Sequence, residues 1–335
     1  MTKKTKVFTL LIVCMLTILV CSVFAIGAQN DYPNKPIRII LGVSPGGAME
    51  TAARQLQPYL EKELGVPLII DCKPGAGGMI GSKVALESDP DGYVFIQMPF
   101  SFLCSQVLIF DAPFGFESFE IISNFITDPN VILVHKDSPW QSLEELVDYA
   151  KSQPPGIVTV GVCSLTDPTN LTLHALQDEA GVQFNIVPFG GGNPARMALA
   201  GKHTDVGITG LFASQHISEY VRVLGMAQEK NLFPDLTNNA PTINDALGVN
   251  VPYSADTISL FVPAGFSAQY PERAKIFTEA LFRALNSSEY KEMLEQIGQT
   301  GRVKVRGTKE SQDLLNAEIE LWKKYLYLFE DYEPK

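Results

Sequence analysis

Two rhythms of apolar residues alternate along most of this chain. Short runs rich in Val, Ile, Leu and Phe read as strands: "IRIILGV" (37–43), "PLIIDC", "YVFIQM", "VILVHK", "VTVGV", "FNIVPF", "DVGIT", "VRVLGMA" and "ISLFVPA" (258–264). Between several of them apolar positions recur every three or four residues. That spacing predicts helices over 50–64, 79–87, 142–153, 170–180 and 194–200. Strands alternating with helices give mainly parallel sheets covered by helices, so the fold class is α/β. The stretch 268–330 reads as three helices with little strand. In "LLNAEIELWKKYLYLF" the apolar positions keep helical spacing, which assigns Trp322 to the core.

The order of these segments suggests two lobes. Two strand–helix units precede residue 100, a second block spans about 131–250, and "ISLFVPAG" with the terminal helices follows. A chain that leaves one lobe, builds a second and returns explains this order. It divides into 31–128 plus 252–335 for the first lobe and 129–251 for the second, with a ligand cleft between them.

The beginning of the chain differs. "MTKKTK" is basic, the next nineteen residues are apolar, and "VFA" and "IGA" resemble small-residue cleavage sites. Residues 1–28 are read as an export signal, which makes the protein periplasmic or extracytoplasmic. An uncleaved anchor helix is the competing reading. Lipid anchoring at Cys14 or Cys21 is disfavoured, because each follows Val where a lipobox wants a small residue. Loss of 1–28 removes Lys3, Lys4 and Lys6 and no acid, which takes the formal charge from −11 to −14. So acidic a protein is a poor partner for nucleic acid or anionic lipid, and any anion it binds must be held by local groups. Cys72, Cys104 and Cys163 remain. They form no C-x-x-C and are read as three thiols rather than one disulfide and a spare. No metal-ligand spacing or cofactor fingerprint is present.

Candidate chemistry lies in four turns. "SPGGAMET" (44–51), "PGAGGMIG" (74–81), "CSLTDPTN" (163–170) and "GGGNPA" (190–195) each follow a strand and run into a helix. Free N–H groups and the positive dipole end make helix starts good anion sites, and glycine lets a ligand approach the backbone. Ordinary capped turns would look similar one at a time. Four together suggest a site able to hold a small carboxylate. No Lys or Arg lies in these loops ahead of their helices; Arg54 and Arg196 come just inside.

The first loop contains G-x-S-x-G at 42–46, where a hydrolase nucleophile would stand. In that motif the residue after the serine donates its N–H to the oxyanion, and here it is Pro45, which has none. His135, His174, His203 and His216 stand singly, with no acid in a triad arrangement. No catalytic residue is assigned. Gly75, Gly77 and Gly81 miss the dinucleotide fingerprint by one position.

From Tyr32 to Tyr93 the chain resembles the exported solute-binding proteins of tripartite tricarboxylate transporters, the Bug or TctC-like family. The matching stretches are "YPNKPIRII", "PGGAMETAAR", "LGVPLII", "CKPGAGGMIG" and "PDGY". Later ones are "VPFGGGNPARMALAGKHTDVG", "VRVLGMA", "PTI" and "VPAG". The resemblance implies a two-lobed type II periplasmic-binding-protein fold. It implies a monomer without cofactor that captures a small carboxylate for the membrane permease subunits of the transporter. A ligand-sensing partner of a signalling system, built on the same fold, is the alternative. Carried over, the first-lobe site is Ser44, Gly47, Ala48, Met49 and Glu50 with Ala76, Gly77, Gly78 and Met79. The second-lobe site is Ser164, Thr166, Thr169, Asn170, Gly192, Asn193 and Thr209. The family favours Asp at Glu50, Ser or Thr near Met49, Asn or Thr at Met79, Ser-His at Thr169-Asn170, Asp at Thr209 and Trp near Thr257. Ala48, Met49 and Met79 stand where relatives often present hydroxyls or amides. A mono- or dicarboxylate with an apolar body is therefore expected over a hydroxylated tricarboxylate.

Overall fold

The computed structural model describes residues 32–46 and 48–330, so the export signal read at 1–28 and Gly47 lie outside the described residues. Nine strands match the nine apolar runs: β1 Ile37–Leu41, β2 Leu68–Cys72, β3 Val94–Met98, β4 Phe119–His135, β5 Thr159–Val162, β6 Asn185–Pro188, β7 Val206–Gly210, β8 Val221–Met226 and β9 Ala255–Pro263. The helices used below are α1 Ala48–Leu64, α2 Met79–Leu86, α3 Phe100–Leu108, α4 Leu143–Ser152, α5 Pro168–Ala180 and α6 Gly192–Ala200. After the short α7 Pro234–Thr237, α8 Ile243–Leu247 and α9 Phe266–Gln269 come α10 Pro271–Asn286, α11 Ser288–Gln296 and α12 Thr308–Lys324.

The strand path is β2-β1-β3-β9-β4-β7-β5-β6, with β8 also on β4. Pairs β1–β2, β1–β3, β5–β6 and β5–β7 are parallel. The pairs made by β4 and β9 are all antiparallel, which corrects the mainly parallel expectation to a mixed sheet. β4 and β9 carry the chain across the junction and back, so they run against their neighbours.

Strand periodicity divides the core. Ile37, Ile39 and Leu41 of β1 face α1, α10 and α11, through Leu56, Leu60, Phe277, Leu281 and Tyr290. Ile40, one step out of phase, joins the opposite layer with α3, α12 and the second-lobe helices α4 and α5. That second layer is continuous from Trp322 of α12 to Leu171 and Ala175 of α5. Tyr327, just after α12, donates its hydroxyl to Asp178 of α5 at 3.1 Å.

Besides the short helices α7 and α8, two longer elements escaped the hydrophobic pattern in whole or in part. Helix α3 buries Ser101, Ser105 and Gln106 among its apolar residues, so no polar face marks a period. β4 begins at Phe119 rather than Val131, because its first half buries Ser123, Asn124, Asp128 and Asn130 and shifts register twice against β9. Cys72, Cys104 and Cys163 are free; Cys104 is buried and the other two partly so.

Candidate ligand-binding cleft

Strand direction alone brings the four loops together. β1, β2 and β3 run parallel to one another, and β4 continues in the same sense out of the first lobe, so their C-terminal ends point at the second lobe. β7 is antiparallel to β4, and β5 and β6 follow β7, so their C-terminal ends point back. The turns after β1, β2, β5 and β6 thus face one another across the junction, with the helix N-termini of α1, α2, α5 and α6 inward. Ligands of open α/β sheets bind at such strand ends.

In the first lobe, Ser44 and Ala48 are exposed, and Met49 and Glu50 are half-buried. Ala76 and Gly77 are exposed, Gly78 is buried and Met79 half-buried. Gly78 has φ +86°, a conformation that favours glycine, and its N–H donates to Gly75 carbonyl at 3.0 Å. Gln106 holds this loop from below, with Nε2 donating to Gly77 carbonyl at 3.0 Å and Oε1 accepting from Ser82 at 2.8 Å. The two loops touch at their glycines: a Cβ on Gly42 would lie 2.8 Å from Gly78 Cα.

In the second lobe, Ser164 and Thr166 are half-buried with their hydroxyl oxygens 3.1 Å apart, and Thr169 and Asn170 are buried. Gly191 N–H donates to Cys163 carbonyl at 3.0 Å and ties the third loop to the fourth. Gly192 is half-buried and Asn193 exposed. Buried Thr209 accepts from Arg196 Nη1 at 3.0 Å.

The four helix starts are not equivalent. At α1, Glu50 turns back to accept Gly46 N–H at 2.7 Å and pairs with Arg54 at 2.8 Å. These contacts hold its carboxyl below the usual range, Gly46 N–H first. At α5, Asp167 is the N-cap and accepts both N–H and hydroxyl of Thr169, at 2.9 and 2.6 Å. The starts of α2 and α6 have no side-chain cap. Two of the four helix starts are thus served by the chain's own carboxylates.

Four charged residues of this region escaped sequence reasoning, Asp128, Asp167, Asp256 and Glu318, and Arg196 was legible only by its place just inside its helix. Asp128 and Asp256 are partners across β4 and β9 where the chain crosses between lobes. Fully buried Asp128 accepts Phe212 N–H and Ala213 N–H at 2.8 and 2.9 Å, and Arg302 Nε lies 3.6 Å from it. Burial raises the Asp128 carboxyl against these partners. Burial raises Asp167, and burial and the neighbouring Asp167 and Asp128 raise Asp256 well above the carboxylate range. Glu318 of α12 is pushed up to about 7 by burial, although it accepts Trp322 Nε1–H. Burial lowers Arg196. Two signals were readable: Asp256 is an acid entering an apolar strand, and Asp167 precedes a proline, the mark of an N-cap with Pro at N1.

A folded-state carboxyl pKa above the unfolded value means the native state binds the proton more tightly. Its stabilisation is present below the unfolded pKa and is lost as pH rises through the folded one. Asp256→Asn removes that loss. The unliganded variant is expected to melt about 2–4 °C above wild type at pH 7, and together with it near pH 3. Thermal melts across that range check this, and a variant that melts lower at pH 7 refutes it.

The family model described as "Tripartite tricarboxylate transporter family receptor" matches residues 52–323. The UPF0065 protein in the gbd 5′ region of Cupriavidus necator is 30% identical over 273 residues, covering 80% of each chain. Among solved structures, R. palustris Rpa4515 with adipate superposes with a TM-score of 0.72 at 23% identity, covering 88% of this chain and 97% of that one. MatC (Rpa3494) from Rhodopseudomonas palustris with bound malate gives 0.72 at 21% identity, covering 88% and 100%. These structures share the two-lobed fold.

Proposed function

Since this chain belongs to the tripartite tricarboxylate transporter receptor family, we propose that it captures a small carboxylate between its lobes and delivers it to the membrane permease subunits of a tripartite transporter. It is exported through the signal at 1–28 and works outside the cytoplasm as a monomer. Among the described residues no helix is long and apolar enough to cross a membrane.

The observation that carries the reading is the convergence of four strand-to-helix loops on one cleft, two of them with uncapped helix starts. Two proteins of the same fold hold adipate and malate, both small carboxylates. One ligand carboxylate is received at the 74–79 loop beside Ser44, Ala48 and Met49. Ser164, Thr166, Thr169, Asn170, Gly192, Asn193 and Thr209 read the rest of the ligand from the second lobe.

Calorimetry of the refolded, solute-free protein tests this. Mono- and dicarboxylic acids with an apolar body are expected to bind, and their amides to bind at least about tenfold more weakly. Equal binding of acid and amide would sink the reading. Ser44→Ala is expected to abolish no hydrolytic activity, because Pro45 supplies no oxyanion donor. Esterase turnover by wild type that disappears in this variant would make the protein a hydrolase instead.

A further inference from the structure

The first lobe has an open edge away from the cleft. Residues 303–306 run antiparallel along β4, on the side that β9 does not occupy. Val303 bridges Ile126, Lys304 N–H donates to Phe125 carbonyl at 3.0 Å, and Arg306 carbonyl accepts the Ser123 hydroxyl at 2.7 Å. Main-chain direction alternates along a strand. Lys304 turns to β4, so Val303 and Val305 turn their N–H and C=O groups outward. Among the described residues, none of these four groups has a hydrogen-bond partner.

A groove lies beside this edge. The side chains of Val303 and Val305 pack in the layer of α10 and α11. Phe282, Leu285 and Leu294 join them around an open cavity of about 720 Å³, which shares no residue with the four cleft loops. Lys304 points to the other face, 3.8 Å from Glu310 of α12. The outer strands of the sheet are guarded. β2 carries Asp71, paired with Arg38 and Lys73 at 2.6 and 3.2 Å, and β6 ends in Pro188. Charge and proline at an edge discourage a further strand. At 303–305 the outward main chain is bare and the side chains beside it are apolar.

The rim of the groove has a sign. Lys291, Glu292 and Glu295 are exposed there, and none makes an ion pair among the described residues. Acid exceeds base at this rim, on a chain of formal charge −11. That field favours a basic occupant.

We propose that the groove docks an extended segment of a partner protein. The segment adds as a strand to Val303 and Val305, sets alternate apolar side chains against Phe282, Leu285 and Leu294, and places a basic one at Glu292 and Glu295. In strand addition the main chain gives affinity, and pockets for alternate side chains give specificity. A partner docked here leaves the cleft open to its ligand.

The probe is a fluorescein-labelled hexapeptide that alternates valine with threonine and carries one lysine. Fluorescence anisotropy is expected to show saturable binding to the wild-type protein at micromolar peptide. N-methylation at the valines removes the donors that face the edge and should weaken binding by about tenfold or more. Val305→Pro removes an outward N–H that no bond of the fold uses, and should weaken the peptide by a similar factor. Glu292→Lys combined with Glu295→Lys, both exposed, should weaken it too, while thermal melts of both variants stay near wild type. Equal binding of the N-methylated peptide, or equal binding by Val305→Pro, would overturn strand addition. No saturable binding would overturn docking altogether. Sedimentation that shows a dimer of wild type, lost in Val305→Pro, would assign the edge to a second copy of this chain. A fluorescent fatty acid that binds where the peptide does not would make the groove a site for acyl chains.

Discussion

Asp128→Ala is expected to destabilise the protein by about 3–5 kcal/mol and to lower its melting temperature by on the order of 5–10 °C. Three losses combine. Phe212 and Ala213 lose the acceptor of their N–H groups, Arg302 is left as a buried cation, and a fully buried side chain disappears. Breaking one side of a buried pair costs more than the pair contributes, because the remaining charge cannot regain water. Asp128→Asn keeps an acceptor for one N–H and should fall between the alanine variant and wild type. Lys309→Ala, which breaks an exposed pair with Asp313, should leave the melting temperature in place. An Asp128→Ala protein that melts within a degree or so of wild type would mean that this contact between strand crossing and second lobe is not structural.

Gly42→Val should remove binding while the protein stays folded. The backbones of Gly42, Gly78 and Gly81 lie against one another: a Cβ on Gly42 would meet Gly78 Cα and O at 2.8 Å, and one on Gly81 would meet Gly42 Cα at 2.9 Å. Neither loop has a flexible side chain there to yield. Valine must push apart the two loops that form the first-lobe side of the cleft. The expected folding cost is about 1–3 kcal/mol, within the range for overpacking. The affinity for whichever acid wild type binds should drop by about a hundredfold or more, because a misplacement of an ångström is enough to spoil hydrogen-bond geometry. Gly46→Ala is the control. Gly46 has positive φ but open space around its Cβ position, so that variant reports backbone strain without a clash. Calorimetry and thermal melts on both separate the two effects, and Gly42→Val binding at nearly wild-type affinity would sink the close-packing explanation.

Much of this was legible in the chain because each strand of a doubly covered sheet is a nearly unbroken apolar run, and Ile37 to Leu41 illustrates it. The loops were legible because Gly, Ser, Thr and Asn gather where a strand hands over to a helix. The charged lining was not. Asp128 and Asp256 lie far apart in sequence and meet only because β4 and β9 cross between lobes side by side. No local periodicity encodes that crossing. Buried Asn124, Asp128 and Asn130 disguise the first half of β4, since polar residues are inward there for hydrogen bonding rather than outward for water. The four helix starts looked alike in sequence; only the turn of the Glu50 side chain onto Gly46 distinguishes the first.

That carboxylate acts as a tethered competitor. Held four residues from the N–H it occupies, and kept ionised by Arg54, Glu50 meets Gly46 at an effective concentration that a dissolved solute reaches only when abundant. Any anion that bids for Gly46 N–H is discounted by the fraction of time Glu50 is away. On the proposed reading, a ligand anion that reached this loop would be held less tightly there and exchange faster, because Glu50 can return to Gly46 as it leaves.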